Sequence, residues 1–309
     1  MNTLYKKYFY SIAISPFSCI LLFLMNFVLA INFFIVKNFF SMLSTTDLNL
    51  FFSSFSLSVC LFLPALVSLL PCKKNYILKE NVSDFKNVLI RNFVILTFLF
   101  FFLALSFLIL FGISVFGNLS FSEIFCGYFG LIFFLILSCV FVNYIFLQFE
   151  NKALSFLISY SGIFVFNYIH LLPSVIQNFP FSKVTNYFSF AWQFDSFSKG
   201  LLSIQSILFF IISIVSFYIL SVNVFLKSRD FKNKNFKLLK GVSLFTFILL
   251  FLLNSKINCS FDTTKNKVYS VSKYSKELLS KTDETLSVTY YLSPKLKTYY
   301  PQVKNICDY

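Results

Sequence analysis

The chain has 309 residues, 58% hydrophobic and only 12% charged, with a mean hydropathy of +0.78. Soluble globular domains are about one quarter charged, so this composition excludes a soluble domain and indicates an integral membrane protein. The net charge of +14 would suggest nucleic acid on a soluble chain, but here the basic residues sit between apolar runs, where they set topology and meet the anionic headgroups of a lipid bilayer.

In the first fifteen residues Leu4, Tyr5, Tyr8, Phe9 and Ile12 recur at helical spacing beside Lys6 and Lys7. This predicts a short amphipathic helix along the membrane surface; the segment is too polar for a signal peptide. A first span is expected from Phe17 to Val36, near the ~20 residues that cross ~30 Å of hydrocarbon. Asn26 and Asn32 interrupt it and are expected to bond across to other helices. A second span, Leu50 to Leu70, contains Pro64, which predicts a kink. The loop from Pro71 to Asn92 carries Lys73, Lys74, Lys79, Lys86 and Arg91 against Glu80 and Asp84.

The third span is expected from Phe93 to Phe116 and the fourth from Ile124 to Phe146, the latter opened by a capping box of Ser120 and Glu123. Glu150 and Lys152 mark a tight turn before a fifth span, Leu154 to Leu172, with the sole histidine, His170, as a polar anchor at its end. Pro173 to Gly200 is semi-polar and aromatic, with Trp192, and is expected to lie in or re-enter the interface. A sixth span runs from Leu201 to Leu226. The abundant Phe, 48 residues, reads as lipid-facing filler.

The basic block that follows holds Lys227, Arg229, Lys232, Lys234, Lys237 and Lys240 against Asp230. Lys and Arg near span ends resist translocation, so this block is expected in the cytoplasm. Counting outward puts the N-terminus in the cytoplasm, with Lys6, Lys7, Lys73, Lys74, Lys79, Lys86, Arg91 and Lys152 on the same side and only Lys37, Lys183 and Lys199 in the outer loops. A seventh span, Gly241 to Leu253, would lead the tail out. There Val271 to Thr282 suggests a helix and Leu286 to Leu292 a strand. One helix and one strand cannot bury a core, so the tail reads as the start of an extracytoplasmic α/β domain that is incomplete here. The expected organisation is an all-α polytopic bundle over 1–230, a basic hinge and seventh helix over 231–254, and the α/β segment over 255–309.

Catalytic chemistry is not legible. No phosphate-cradling G-x-x-x-x-G-K-[ST] occurs; Gly112 and Gly117 have the spacing but are followed by Asn118 and Leu119. The seven cysteines form no C-x-x-C and read as small hydrophobes. Glu123, Glu150, His170 and Asp195 are scattered, and no span centre carries the charge an ion-coupled carrier normally needs. No catalytic, metal or cofactor-binding residue is predicted.

Several stretches do point to a family. The opening YKKYFYSIAISPF, the Pro64-Ala65-Leu66 triplet, Val82 to Phe93 (VSDFKNVLIRNF), Gly127-Tyr128 with Gly130, and Lys227-Ser228-Arg229 are each similar to segments of gliding-motility-type ABC transporter permeases, within the type-2 ABC exporters. The most specific match is YFSFAWQFDSFSKG, Tyr187 to Gly200, which resembles their S-x-x-x-x-F-x-x-F-x-x-G stretch. Phe261 to Ser293, with its F-D-T-T-x-x-K-x-Y-S-x-S, resembles the start of the companion subunit of the same transporters.

The resemblance implies a six-span permease fused to the opening of its auxiliary periplasmic partner, in the cytoplasmic (inner) membrane. It implies a second permease copy or a relative, a separate cytoplasmic ATPase that alone hydrolyses ATP, and no nucleic acid. The coupling contact is expected at Lys79, Glu80, Ser83, Asp84 and Lys86, although the preceding loop, VSLLPCKKNYILKENV, is shorter than the family's acidic-basic run. The alternative is a non-transporting membrane scaffold or accessory subunit that displays an outer domain.

Overall fold

A computed structural model describes residues 2–36, 48–71, 84–114, 120–176, 182–229, 260–264, 267, 270 and 273–281. Among them, 6 helical segments are long and apolar enough to cross a bilayer: Pro16–Val36, Leu48–Ser68, Phe85–Ser114, Phe121–Gln148, Lys152–Leu171 and Ile204–Val224. The chain is an all-α, multi-pass membrane protein. The predicted seventh span and the predicted strand Leu286 to Leu292 lie outside the described residues.

Helix α1 (Asn2–Ala13) buries Leu4, Tyr8 and Ile12 and exposes Lys6, Lys7 and Tyr10, the i, i+4, i+8 stripe of an amphipathic helix. Ser15, in extended backbone, ends it, and Pro16 opens α2 (Pro16–Ile31), where its missing N–H is no loss. The first span finishes in a π-helical turn, Asn32–Val36. Asn26 does not reach across to a neighbour as expected. Its Nδ2 donates 3.0 Å to Leu22 O of its own helix, a local bond open to a short polar side chain.

Span two is broken into α3 (Leu48–Ser53) and α4 (Phe55–Ser68). The break falls at Ser54, where Ser53 and Ser54 turn back to Asn49 O and Leu50 O at 2.7 and 2.8 Å and compete with the backbone ladder. The α4 helix runs on through Pro64. Helix α5 (Asp84–Ser114) starts well before the predicted Phe93. Lys86 and Arg91 therefore lie on a helix and not in a loop, because Val88 and Ile90 already pack inward there, a contact that hydropathy does not register.

The bundle is arranged around α6 (Phe121–Gln148), buried along most of its length and packed on α4, α5 and the later helices α7, α10 and α11. Two glycines let neighbours reach its backbone. A Cβ at Gly127 would lie 2.2 Å from the Phe52 ring, and one at Gly130 would lie 2.4 Å from Phe197 Cβ. The capping box is corrected: Ser120 holds the N-cap position, but its side chain makes no capping bond, and its buried Oγ has no partner among the described residues. Glu123 leans instead toward Gly200, its Cγ 3.1 Å from where a Cβ there would stand.

Helix α7 (Lys152–Tyr168) is capped by Asn151, whose side chain accepts from Ala153 N, and continues as a 3-10 turn, Ile169–Leu171. The chain then makes three short helices, α8 (Leu172–Val175), α9 (Ser182–Phe188) and α10 (Phe190–Ser198). Of these, α10 re-enters the bundle, burying Phe190, Phe194 and Phe197 against α3, α6 and α7. Gly200, at φ +79°, turns the chain into β1 (Leu201–Ser203), and α11 (Ile204–Arg229) follows. The sixth span thus begins at Ile204, since Leu201 to Ser203 pair with β2 (Ser260–Asp262) in antiparallel register, Leu202 opposite Phe261. The predicted tail helix is found as α12 (Lys273–Ser280).

The close approach at Gly130 is testable. In Gly130→Ala the new methyl meets a Cβ that cannot swing aside, and such overpacking costs about 1–3 kcal/mol. Thermal unfolding in detergent, followed by the emission of Trp192, the sole tryptophan, should shift to lower temperature. Gly112→Ala, where nothing lies within 4 Å, should not be destabilised.

Candidate functional site

Two polar constellations stand out against the apolar bundle, one at each end. At the end that carries α1, the Tyr8 hydroxyl donates 2.8 Å to Asn87 Oδ1, joining α1 to α5. One turn on, the Arg91 guanidinium lies 5.6 Å from the centre of the Tyr8 ring. Its Nε donates 3.3 Å to Asn143 Oδ1 and its Nη1 donates 2.9 Å to the carbonyl of Pro71. Asn143 Nδ2 in turn donates 2.6 Å to Asn92 Oδ1. Arg91 is only 3% exposed. A buried charge is tolerated only when hydrogen-bonded, and these bonds tie α1, the end of span two, α5 and α6 into one unit.

A second layer closes the same level. Val88, Leu147, Val222 and Val224 pack together from α5, α6 and α11. Asn223 sits among them, 3% exposed, with neither amide atom bonded among the described residues. The Tyr218 hydroxyl donates 2.8 Å to Phe85 O, so the later half of α11 adjoins the start of α5. Lys152 Nζ donates 3.2 Å to Ser68 O, bringing span five to this end as well.

Of the predicted coupling residues, Lys79, Glu80 and Ser83 lie outside the described residues. Asp84 is the first residue of α5, and Lys86 is exposed on its first turn. Lys227 and Arg229 fall on the last turn of α11, whereas Lys232, Lys234, Lys237 and Lys240 lie outside the described residues. Arg91 was legible as a basic loop residue and Asn143 not at all. The usable signals were the i, i+4 spacing of Asn87 and Arg91 and a lone amide in the apolar run of span four.

At the far end, Ser189 is the hub. Its Oγ donates 2.9 Å to Asn167 O, meets His170 Nδ1 at 2.8 Å and accepts from Trp192 N to cap α10. His170 is thus an anchor for the re-entrant helix. Gln193 bridges, donating to Tyr187 O at 3.1 Å and accepting from Ser206 at 3.2 Å, and the Ser198 hydroxyl donates 2.6 Å to Asn49 Oδ1. Asp195 pairs with Lys199 one turn along. Burial pushes the Tyr187 phenol above its usual range, with a bond to Gln205 opposing, so it stays neutral and able to donate.

The tail joins here. Thr263 donates from N at 3.1 Å and from Oγ1 at 2.6 Å to one acceptor, Gly200 O. Asp262 Oδ1 accepts from Thr264 N and Oγ1 at 2.9 and 2.6 Å. The two stretches that the sequence marks as most specific, one ending at Gly200 and the other opening at Phe261, therefore meet. Among the described residues no group of three His, Cys, Asp or Glu could hold a metal.

No family model matches the chain, and no solved structure matches it. Among curated proteins it is similar to an uncharacterized protein of Borreliella burgdorferi, 37% identical over 78 residues, which cover 24% of this chain. The match spans 16% of that protein's length.

The polar network makes a graded prediction. Tyr8→Phe orphans one buried acceptor, whereas Asn143→Leu removes an acceptor from Arg91 and a donor from Asn92, at about 1–3 kcal/mol for each group left unsatisfied. Asn143→Leu should therefore lower the unfolding temperature in detergent more than Tyr8→Phe does. Equal, wild-type stability of both would contradict the network.

Proposed function

We propose that the chain is the membrane-spanning permease subunit of an ABC transporter, an exporter, in the cytoplasmic membrane. On this reading two copies, or one copy and a relative, line the pathway, and a separate cytoplasmic ATPase drives it. On this reading the α1 end faces the cytoplasm: Lys6 and Lys7 lie on α1, Lys86 on the first turn of α5, Lys152 at the start of α7, and Lys227 and Arg229 on the last turn of α11, and basic residues resist translocation. The resemblance of YKKYFYSIAISPF and YFSFAWQFDSFSKG to permease segments supplies the class.

The observation that carries the reading is the Tyr8–Asn87 and Arg91–Asn143 network. Work done by an ATPase moves a pathway only if both favour different conformations of one connected element. Tyr8 bonds the surface helix α1 to α5, and Arg91 of α5 bonds in turn to α6 and to the carbonyl of Pro71, so a push on α1 would reach the ends of three spans, which supports the reading. Lys79, Glu80, Ser83, Asp84 and Lys86 are the proposed contact for the ATPase. A second reading, a non-transporting scaffold for an outer domain, draws on the β1–β2 pairing that holds the tail to the bundle.

Isolation from native membranes in mild detergent, with identification of what co-purifies, separates the two. The permease reading predicts an ABC ATPase in the complex and its loss when Lys79, Glu80 and Asp84 are neutralised together. A scaffold brings down no ATPase, and an ATPase retained by the neutralised variant would contradict the assigned contact.

A further inference from the structure

The loop that follows α10 has the features of a peptide-recognition site. Its strand, Leu201–Ser203, presents backbone groups at an edge, and the Gly200 carbonyl faces the same way. The occupant is an extended segment, Ser260–Asp262, paired residue by residue with that strand. Strand addition of this kind takes its affinity from main-chain bonds and its selectivity from side chains. Three paired residues are marginal on their own, so the side chains must decide what binds.

Asp262, Thr263 and Thr264 have such roles. Thr263 places two donors on Gly200 O, and its side chain neighbours the Cys126 thiol of α6. Asp262 closes an Asx turn on Thr264, which bends the chain as it leaves the strand. Thr264 is buried, and its methyl lies 3.1 Å from where a Cβ on Gly200 would stand, with Glu123 at the same distance. Gly200 is required twice, for its φ of +79° and for this close approach. The site is also rigidly backed. Phe197, three residues before Gly200, is fully buried against Gly130 at the centre of the bundle.

We propose that Gly200, Leu201–Ser203 and Cys126 form a strand-docking site whose ligand is the F-D-T-T segment of the chain's own tail. The docked segment holds whatever the tail carries on the re-entrant helix, so that displacement of either is felt by the other. Undocking strips the Gly200 carbonyl of both its Thr263 donors. The inference goes beyond the exporter reading and does not depend on it, because the contact is the same whether or not an ATPase acts on the bundle.

The test uses the full chain in native membranes, with a protease site inserted after Asn254 and the substitution Thr263→Cys, which sets a second thiol beside native Cys126. Mild copper-phenanthroline oxidation followed by cleavage should leave the tail attached on a non-reducing gel. The attachment should be absent both in the parent with Thr263 and in the Cys126→Ser, Thr263→Cys double variant. Adding Asp262→Ala should slow the initial rate of cross-linking about tenfold, the scale set by losing two modest hydrogen bonds, and adding Gly200→Val should reduce it to the parent level. Cross-linking no faster than in the parent, or persisting without Cys126, would overturn the proposal. A disulfide between two chains would overturn the assignment of the occupant to the same chain. If Gly200→Val fails to accumulate, the Asp262→Ala rate decides, and an unchanged rate there would overturn the selectivity.

Discussion

Between Tyr168 and Ile204 the chain leaves regular helix repeatedly, and away from water each break exposes backbone N–H and C=O groups that cost several kcal/mol apiece if unpaired. The rest of the far end is arranged to meet that demand. The Asn167 carbonyl, at the end of α7, takes the Ser189 hydroxyl. Ser189 then caps α10 through Trp192 N, and the Gly200 carbonyl, where α10 ends, takes two donors from Thr263. Irregular backbone of this sort survives in a membrane protein only when protein surrounds it. Phe190, Phe194 and Phe197 provide the surround by burying α10 in the bundle.

The same rule governs the opposite end with a charge at stake. Arg91 is buried deeply enough that leaving its guanidinium unbonded would be prohibitive, and Asn143, Pro71 and the Tyr8 face accommodate it. Helix α6 connects the two ends. Its Asn143 takes part in the arginine network, whereas its Gly127 and Gly130 receive Phe52 and Phe197 at the far end. In the proposed exporter, α6 would connect a contact at the α1 end with the re-entrant helix at the far end. That coupling requires two arrangements of one connected body rather than a chain of proximity.

The crossing segments were legible because twenty apolar residues in a row admit few structures, and α1 because Leu4, Tyr8 and Ile12 repeat at the helical period. The re-entrant stretch was legible from its mixture of aromatic and polar groups around Trp192. What escaped detection depends on partners distant in sequence. A three-residue strand such as Leu201–Ser203 has no period to read, and its mate begins at Ser260. The start of α5 at Asp84 is set by packing of Val88 and Ile90, and hydropathy sees only the strongly apolar remainder. Ser120 and Glu123 have the right spacing for a capping box, but Gly200 and the tail pack where Glu123 leans. Both specific motifs were visible separately, and only the fold brings Gly200 to Thr263.

The central claim is that α10 dips into the bundle and returns to the face it came from. Single cysteines at Ile176 and Lys199, both accessible positions flanking the helix, settle it with a membrane-impermeant maleimide on intact cells, read against the wild-type chain. The account predicts labelling of both from outside, with a cysteine at Lys152 labelled only after permeabilisation. Labelling of Ile176→Cys and Lys199→Cys from opposite sides of the membrane would make this segment a crossing and contradict the account.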